Sequence, residues 1–270
     1  MPTDLLLVLG GLGAGAFGGL LGLGGGILLV PLLTLGFGVP LTAAVGTSLV
    51  CVIATSAGAA GVNVRAGRAD VRLGMLLAAG TVVGALTGGL VAGLLPERVL
   101  AALFALFIVY TGVSMGRRVF ERGRPDADDD LAVDPNLPDG RDAPGYRSRH
   151  LGPSVAASVV AGNVSGLLGV GGGVVMVPLL HLGMRAPLTV ATATSNFILG
   201  LTAAAGAYAY LFRGDVDPRL AAPTVLGVVT GAWLQARIAS HIPVRLVRVV
   251  FVLVMAYVAV QMAMRAVGAS

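Results

Sequence analysis

Eight long apolar runs, separated by short polar stretches, organise the chain. They cover 5–36, 41–63, 73–95 and 98–116, then 154–184, 188–212, 220–240 and 246–264. A membrane span needs roughly 20 residues of helix. The runs at 41–63 and 73–95 fit one span each. The run at 5–36 does not: as a single helix it would be ~48 Å long at ~1.5 Å per residue, against ~30 Å of hydrocarbon. In its middle stands Gly22-Leu23-Gly24-Gly25-Gly26. Each glycine disfavours a continuous helix by about 1 kcal/mol. The pattern therefore predicts two shorter helices joined by an unwound glycine turn. Gly169-Val170-Gly171-Gly172-Gly173 predicts the same break in the run at 154–184.

The two breaks belong to a longer internal match. Residues 15–48 and 162–195 are identical at 20 of 34 positions without a gap, at an offset of 147. The offset persists downstream: Pro96 and Arg98 answer to Pro243 and Arg245, Phe104 to Phe251, and Tyr110 to Tyr257. A fixed long period marks a duplicated unit. Three regions follow: a membrane repeat over 1–120, a linker over 121–150 and a second membrane repeat over 151–270. The fold class expected is an all-α polytopic membrane protein with eight to ten membrane segments, some of them broken helices.

Composition agrees with this. Of 270 residues, 56% are hydrophobic and 11% charged, with a mean hydropathy of +0.90. A soluble domain is about 25% charged, so a soluble enzyme, a disordered chain and a disulfide scaffold are excluded. The single Cys51 forms no intramolecular disulfide. All 18 basic residues are Arg. Arg beside apolar runs, without interleaved aromatics, is a topology signal rather than a nucleic-acid footprint. Residues 117–149 hold 15 of the 31 charged residues together with four prolines, the composition of a solvated linker. With no basic stretch ahead of it, the first apolar run reads as a membrane segment rather than a cleaved signal peptide.

Arg also indicates orientation. In the first half Arg65, Arg68 and Arg72 crowd one loop and Arg98 stands alone in the next. In the second half Arg213 and Arg219 are offset by Asp215 and Asp217, while Arg237, Arg245 and Arg248 crowd the following region. Equivalent loops thus face opposite sides. This favours inverted repeats of five segments each, with a cytoplasmic linker, in a multi-pass protein of the cell membrane; eight spans in parallel repeats are the alternative.

Broken helices are where transporters commonly seat substrate. A break frees backbone N–H groups at the positive end of the following helix, and glycine lets a ligand approach the main chain. Such a place favours an anion without a buried Arg. The candidate contacts are Gly22, Gly24, Gly25 and Gly26 in one half, and Gly169, Gly171, Gly172 and Gly173 in the other. Pro40-Leu41-Thr42 leads to Thr47 and Ser48, and Pro187-Leu188-Thr189 leads to Thr194, Ser195 and Asn196. These neutral groups suit an oxyanion that must be released again. Asn196 answers to Leu49, so the site is expected to be asymmetric. The alternative for the hydroxyls is a bond to their own helix or a neighbour. Scattered glycines such as Gly58, Gly61, Gly84, Gly88 and Gly89 read as helix-packing positions. Asn163, His181 and Gln235 are further polar groups within apolar runs; no Asp or Glu lies centrally in one. A dinucleotide fingerprint is disfavoured, because no strand precedes the glycines.

Gly19-Leu20-Leu21-Gly22-Leu23-Gly24-Gly25-Gly26 with Val30-Pro31, and Gly166 to Gly173 with Val177-Pro178, each precede a P-L-T block. This pair of motifs resembles the TauE/SafE sulfite exporter family, also called the toluene-sulfonate uptake permease family. The resemblance covers both halves; the acidic linker departs from it. It implies an integral membrane permease for a small sulfur-containing anion such as sulfite or an organosulfonate. Transport requires no catalytic residue, metal or cofactor, and none is expected. Its partners would be that anion and the lipid bilayer, with no nucleic acid; a homodimer is compatible with the architecture. An anion channel of the same architecture is the alternative. An intramembrane enzyme is the remote one, because no H-E-x-x-H, G-x-S-x-G or helically spaced His pair occurs.

Overall fold

A computed structural model describes residues 2–20, 25–120, 151–184, 186–238 and 244–267. The linker at 121–150, Gly22 and Gly24 lie outside these residues. Ten α-helices and no strand occur among the described residues. In the first half they are α1 (Pro2–Leu20), α2 (Gly26–Pro31), α3 (Leu41–Arg65), α4 (Val71–Ala92) and α5 (Glu97–Phe120). The second half has α6 (Leu151–Leu168), α7 (Gly173–Pro178), α8 (Leu188–Arg213), α9 (Pro218–Ile238) and α10 (Val244–Val267). Helices α2 to α5 begin 147 residues before α7 to α10, the offset of the sequence match.

Among the described residues, four segments are long and apolar enough to cross a membrane: Leu41–Arg65, Val71–Ala92, Glu97–Ser114 and Val190–Arg213. Large apolar side chains such as Leu94, Leu106, Phe212 and Leu253 are exposed, as suits a surface solvated by lipid. The chain is an all-α polytopic membrane protein.

The apolar runs break where the glycines predict, but unequally. Helix α1 has 19 residues, whereas α2 has six. Each short helix ends on a proline, Pro31 or Pro178, and widens at once into a π-helical turn, Leu32–Gly36 or Leu179–Gly183. Proline brings no N–H and crowds the carbonyl four residues back, so it disturbs the short α-helix that it closes. The Thr34 hydroxyl donates to Val30 O at 2.9 Å, and Arg265 Nη2 on α10 donates to Thr34 O at 2.9 Å. In the second turn His181 replaces Thr34, and its Nδ1 lies 2.9 Å from Ala186 O.

Neighbour pairs fix the helix directions. Gly46 lies against Tyr210, Gly206 against Leu49 and Gly200 against Ser56, so α3 and α8 run antiparallel. Gly80, Gly84 and Gly88 of α4 lie against Val155, Val159 and Asn163 of α6, so these two run parallel. Helices α1 and α9 are also parallel: Gly227 meets Val8, and Gly231 meets Leu12. Both parallel pairs join a helix of one half to a helix of the other. At Gly84, Gly88, Gly162 and Gly166 an added Cβ would overlap a backbone carbonyl of the opposite helix. Their spacing of four residues puts each pair on one helix face.

The packing expectation for scattered glycines needs one correction. Gly89 does pack, with its Cβ position 2.8 Å from Ala209 Cβ, but Gly58 and Gly61 meet nothing within 4 Å. They lie near the end of α3, on a face that no described residue approaches within that distance.

Candidate functional site

The second glycine turn is described in full, the first only from Gly25 onward. Gly25 and Gly172 hold the same place and the same left-handed conformation, φ 77° and 78°. A side chain would strain the backbone there. Gly25 O accepts from Leu28 and Leu29 N–H, both at 3.2 Å, and so starts α2. Gly172 O accepts from Val175 and Met176 N–H at 3.1 and 3.0 Å. Gly169 and Gly171 also have positive φ, at 70° and 81°.

The two turns meet. A Cβ on Gly26 would stand 2.7 Å from Gly169 O, 2.9 Å from Val52 Cγ2 and 3.1 Å from Ser48 Oγ. A Cβ on Gly171 would stand 2.9 Å from Val52 Cγ1 and 3.2 Å from Leu199 Cδ2. Val52 of α3 is therefore wedged between the turns, and its counterpart at the repeat offset is Leu199. Ser48 Oγ lies 2.8 Å from Gly169 O and 3.2 Å from Gly26 O, to which it donates. One hydroxyl on α3 thus links both breaks. Gly26, Gly169, Gly171 and Ser48 are brought together, and none carries charge.

The remaining candidates divide. Gly173 is buried at the start of α7. Thr47 is fully buried on α3, and its hydroxyl has no hydrogen-bond partner. Ser195 on α8 is 1% exposed and equally unpartnered. Thr194 faces the start of α4: its Oγ1 accepts from Asp70 N–H at 3.0 Å. Asp70 itself caps α4, its Oδ1 accepting from Leu73 N–H at 3.0 Å. Asn196 is half-buried on α8.

Sequence reasoning did not single out Ser165, Val52 or Asp70. Ser165 is fully buried on α6, and its hydroxyl has no partner. The available signal was its counterpart at the repeat offset, Gly18, which has no hydroxyl. Of the polar groups singled out in apolar runs, Asn163 Nδ2 donates to Thr87 Oγ1 across α4 and α6 at 3.2 Å. A cavity of about 500 Å³ lies elsewhere, between α1, α2 and α10. Leu9, Phe17, Leu28, Leu35 and Phe251 line it. That lining is a poor setting for an anion.

The comparisons agree with this architecture. A "probable membrane transporter protein", YunE of Bacillus subtilis, is 30% identical over 245 residues, covering 88% of each chain. The same description is carried by MJ0441 of Methanocaldococcus jannaschii, 29% identical over 218 residues and covering 76% of this chain and 72% of its own. YdhB of Bacillus subtilis, also so described, is 24% identical over 229 residues, covering 83% of this chain and 86% of its own. No solved structure matches the chain. The family model described as "Sulfite exporter TauE/SafE" matches residues 7–262, nearly the whole chain. With paired broken helices, an apolar exterior and transporter relatives along its length, the chain belongs to the TauE/SafE family of membrane transporters.

Proposed function

We propose that the protein carries sulfite, an organosulfonate or a related small sulfur-containing anion across the cell membrane. It works as a secondary transporter by alternating access, with substrate at the glycine-rich helix breaks. The observation that carries this reading is the meeting of the two breaks on Val52, with Ser48 linked to both. Main chain at positive φ and uncharged hydroxyls offer an oxyanion partners that bind it without holding it too tightly to leave. Discontinuous helices at the interface of inverted repeats are a recurrent transporter site. The antiparallel course of α3 and α8, together with helices recurring at one offset, supports inverted repeats here. The family description supports a sulfur oxyanion as cargo. The anion crosses unchanged, so no residue is assigned to catalysis.

The test is flux in proteoliposomes with sulfite, thiosulfate, sulfoacetate and sulfate, with and without an imposed proton gradient. Saturable flux of at least one sulfur anion at carrier rates is expected. Flux of none of them would refute the reading, and unsaturable flux far above carrier turnover would replace the carrier by a channel.

A further inference from the structure

The two glycine turns differ in the hydroxyls that serve them. At the first, Ser48 is engaged with Gly169 O and Gly26 O, and a hydroxyl has one proton to donate. At the second, the Ser165 hydroxyl of α6 stands beside Gly172. A Cβ built on Gly172 would lie 3.4 Å from Ser165 Cβ and 3.6 Å from its Oγ. Ser165 is fully buried, and its Oγ is unpartnered. A helical serine ordinarily gives its proton to the carbonyl one turn back. Ser158, one helical stretch earlier on α6, bonds Val155 O at 2.7 Å in this way; Ser165 does not. Ser195, the counterpart of Ser48, is the second buried, unpartnered hydroxyl of this half. It stands on α8, against which α7 packs. In the first half Ser165 is replaced by Gly18, so this arrangement exists once per chain. Buried polar groups are ordinarily paired. An unpaired buried hydroxyl beside the second glycine turn, that of Ser165, therefore calls for an acceptor supplied from outside the protein.

We propose that Ser165 is a specificity-determining contact of a single oxyanion site at the second turn. It donates to one oxygen of a sulfite-like anion seated against Gly172. The first turn, stapled by Ser48, does not bind anion in this conformation. This inference rests on the transport reading and sharpens it: the two repeats share an architecture but not the binding chemistry.

The experiment uses the full purified chain, with sulfite as the probe, titrated by calorimetry in lipid nanodiscs, and sulfite flux measured in parallel. Ser165→Ala should weaken sulfite binding about 10-fold or more, as expected for losing a hydrogen bond to a charged group. Without anion, its thermal midpoint should stay at or above that of the wild type, because an unpaired buried hydroxyl has been removed. Ser158→Ala, on the same helix, should bind sulfite within about twofold of the wild type. Unchanged binding in Ser165→Ala would overturn the proposal while leaving the transport reading intact. A lowered midpoint alongside weaker binding would make Ser165 structural and overturn it too. If the wild type neither binds nor moves any anion of the panel, both fall.

Discussion

Thr47-Ser48 on α3 and Thr194-Ser195 on α8 are the same dipeptide in two settings. On α3 the serine is engaged, with Gly169 O and Gly26 O, and the threonine is unpartnered. On α8 the threonine is engaged, with Asp70 N–H, and the serine is unpartnered. Asp70 answers to Asp217 at the repeat offset. The link between Thr194 and Asp70 therefore has a mirror image, Thr47 with Asp217, that is not made. The dipeptide itself is identical in the two copies, so the difference arises in what surrounds it. A pair of equivalent contacts of which one is closed fits a single conformation of the alternating-access carrier proposed above.

The strongest way to break this comparison is a disulfide test in a Cys51→Ala background, which removes the one native thiol. With Asp70→Cys, Thr194→Cys, Thr47→Cys and Asp217→Cys in one chain, a bond should close between 70 and 194 or between 47 and 217, never both. Mass spectrometry of the oxidised protein reads the outcome. Both bonds in one molecule would show that the two contacts are not alternatives.

A smaller effect is expected from the serines. Ser48→Ala removes a buried hydrogen bond and leaves carbonyls unpaired, costing about 1–3 kcal/mol. Ser195→Ala removes an unpaired hydroxyl and should cost nothing measurable in the absence of anion. Denaturant titration of both variants compares them directly, and equal losses would erase the distinction. Smallest is the threonine pair. Thr194→Ala should cost about 1 kcal/mol by leaving Asp70 N–H without its acceptor, and Thr47→Ala should stay within about 0.5 kcal/mol of the wild type. Thermal unfolding without substrate measures both.

Much of the architecture was legible in the residues. The run at 5–36 is too long for one span and carries its own breaker, so the position of the break follows from length and glycine alone. The repeat offset then transfers that break to 169–173. The π-helical turns were not legible, because proline announces a disturbance but not its geometry. Nor could local pattern say which hydroxyl of a matched pair is engaged: Ser48 bonds a carbonyl 121 residues away, and Thr194 an amide 124 residues away. Glycines divided for the same reason. Gly84 and Gly58 look alike in sequence, and only the neighbouring helix distinguishes them. Ser165 passed for an ordinary small residue of a packed helix, although its Gly18 counterpart marks a place near the turns where the halves differ by a hydroxyl.

The parallel pairing of α1 with α9 has a consequence for how the protein is made. The groove along Gly11 and Gly15 is filled by a helix whose contacting residues, Thr224 and Val228, lie about 210 residues downstream. At roughly 5–20 residues per second of synthesis, α1 waits about 10–40 s in the bilayer with bare backbone toward lipid. Helix α4 waits less, because α6 opens the second half. The first half is therefore an unfinished object during synthesis, held only by its own contacts until the second half arrives to clasp it. Mutations in α9 should show their first symptom as degradation of a chain whose N-terminal half is intact.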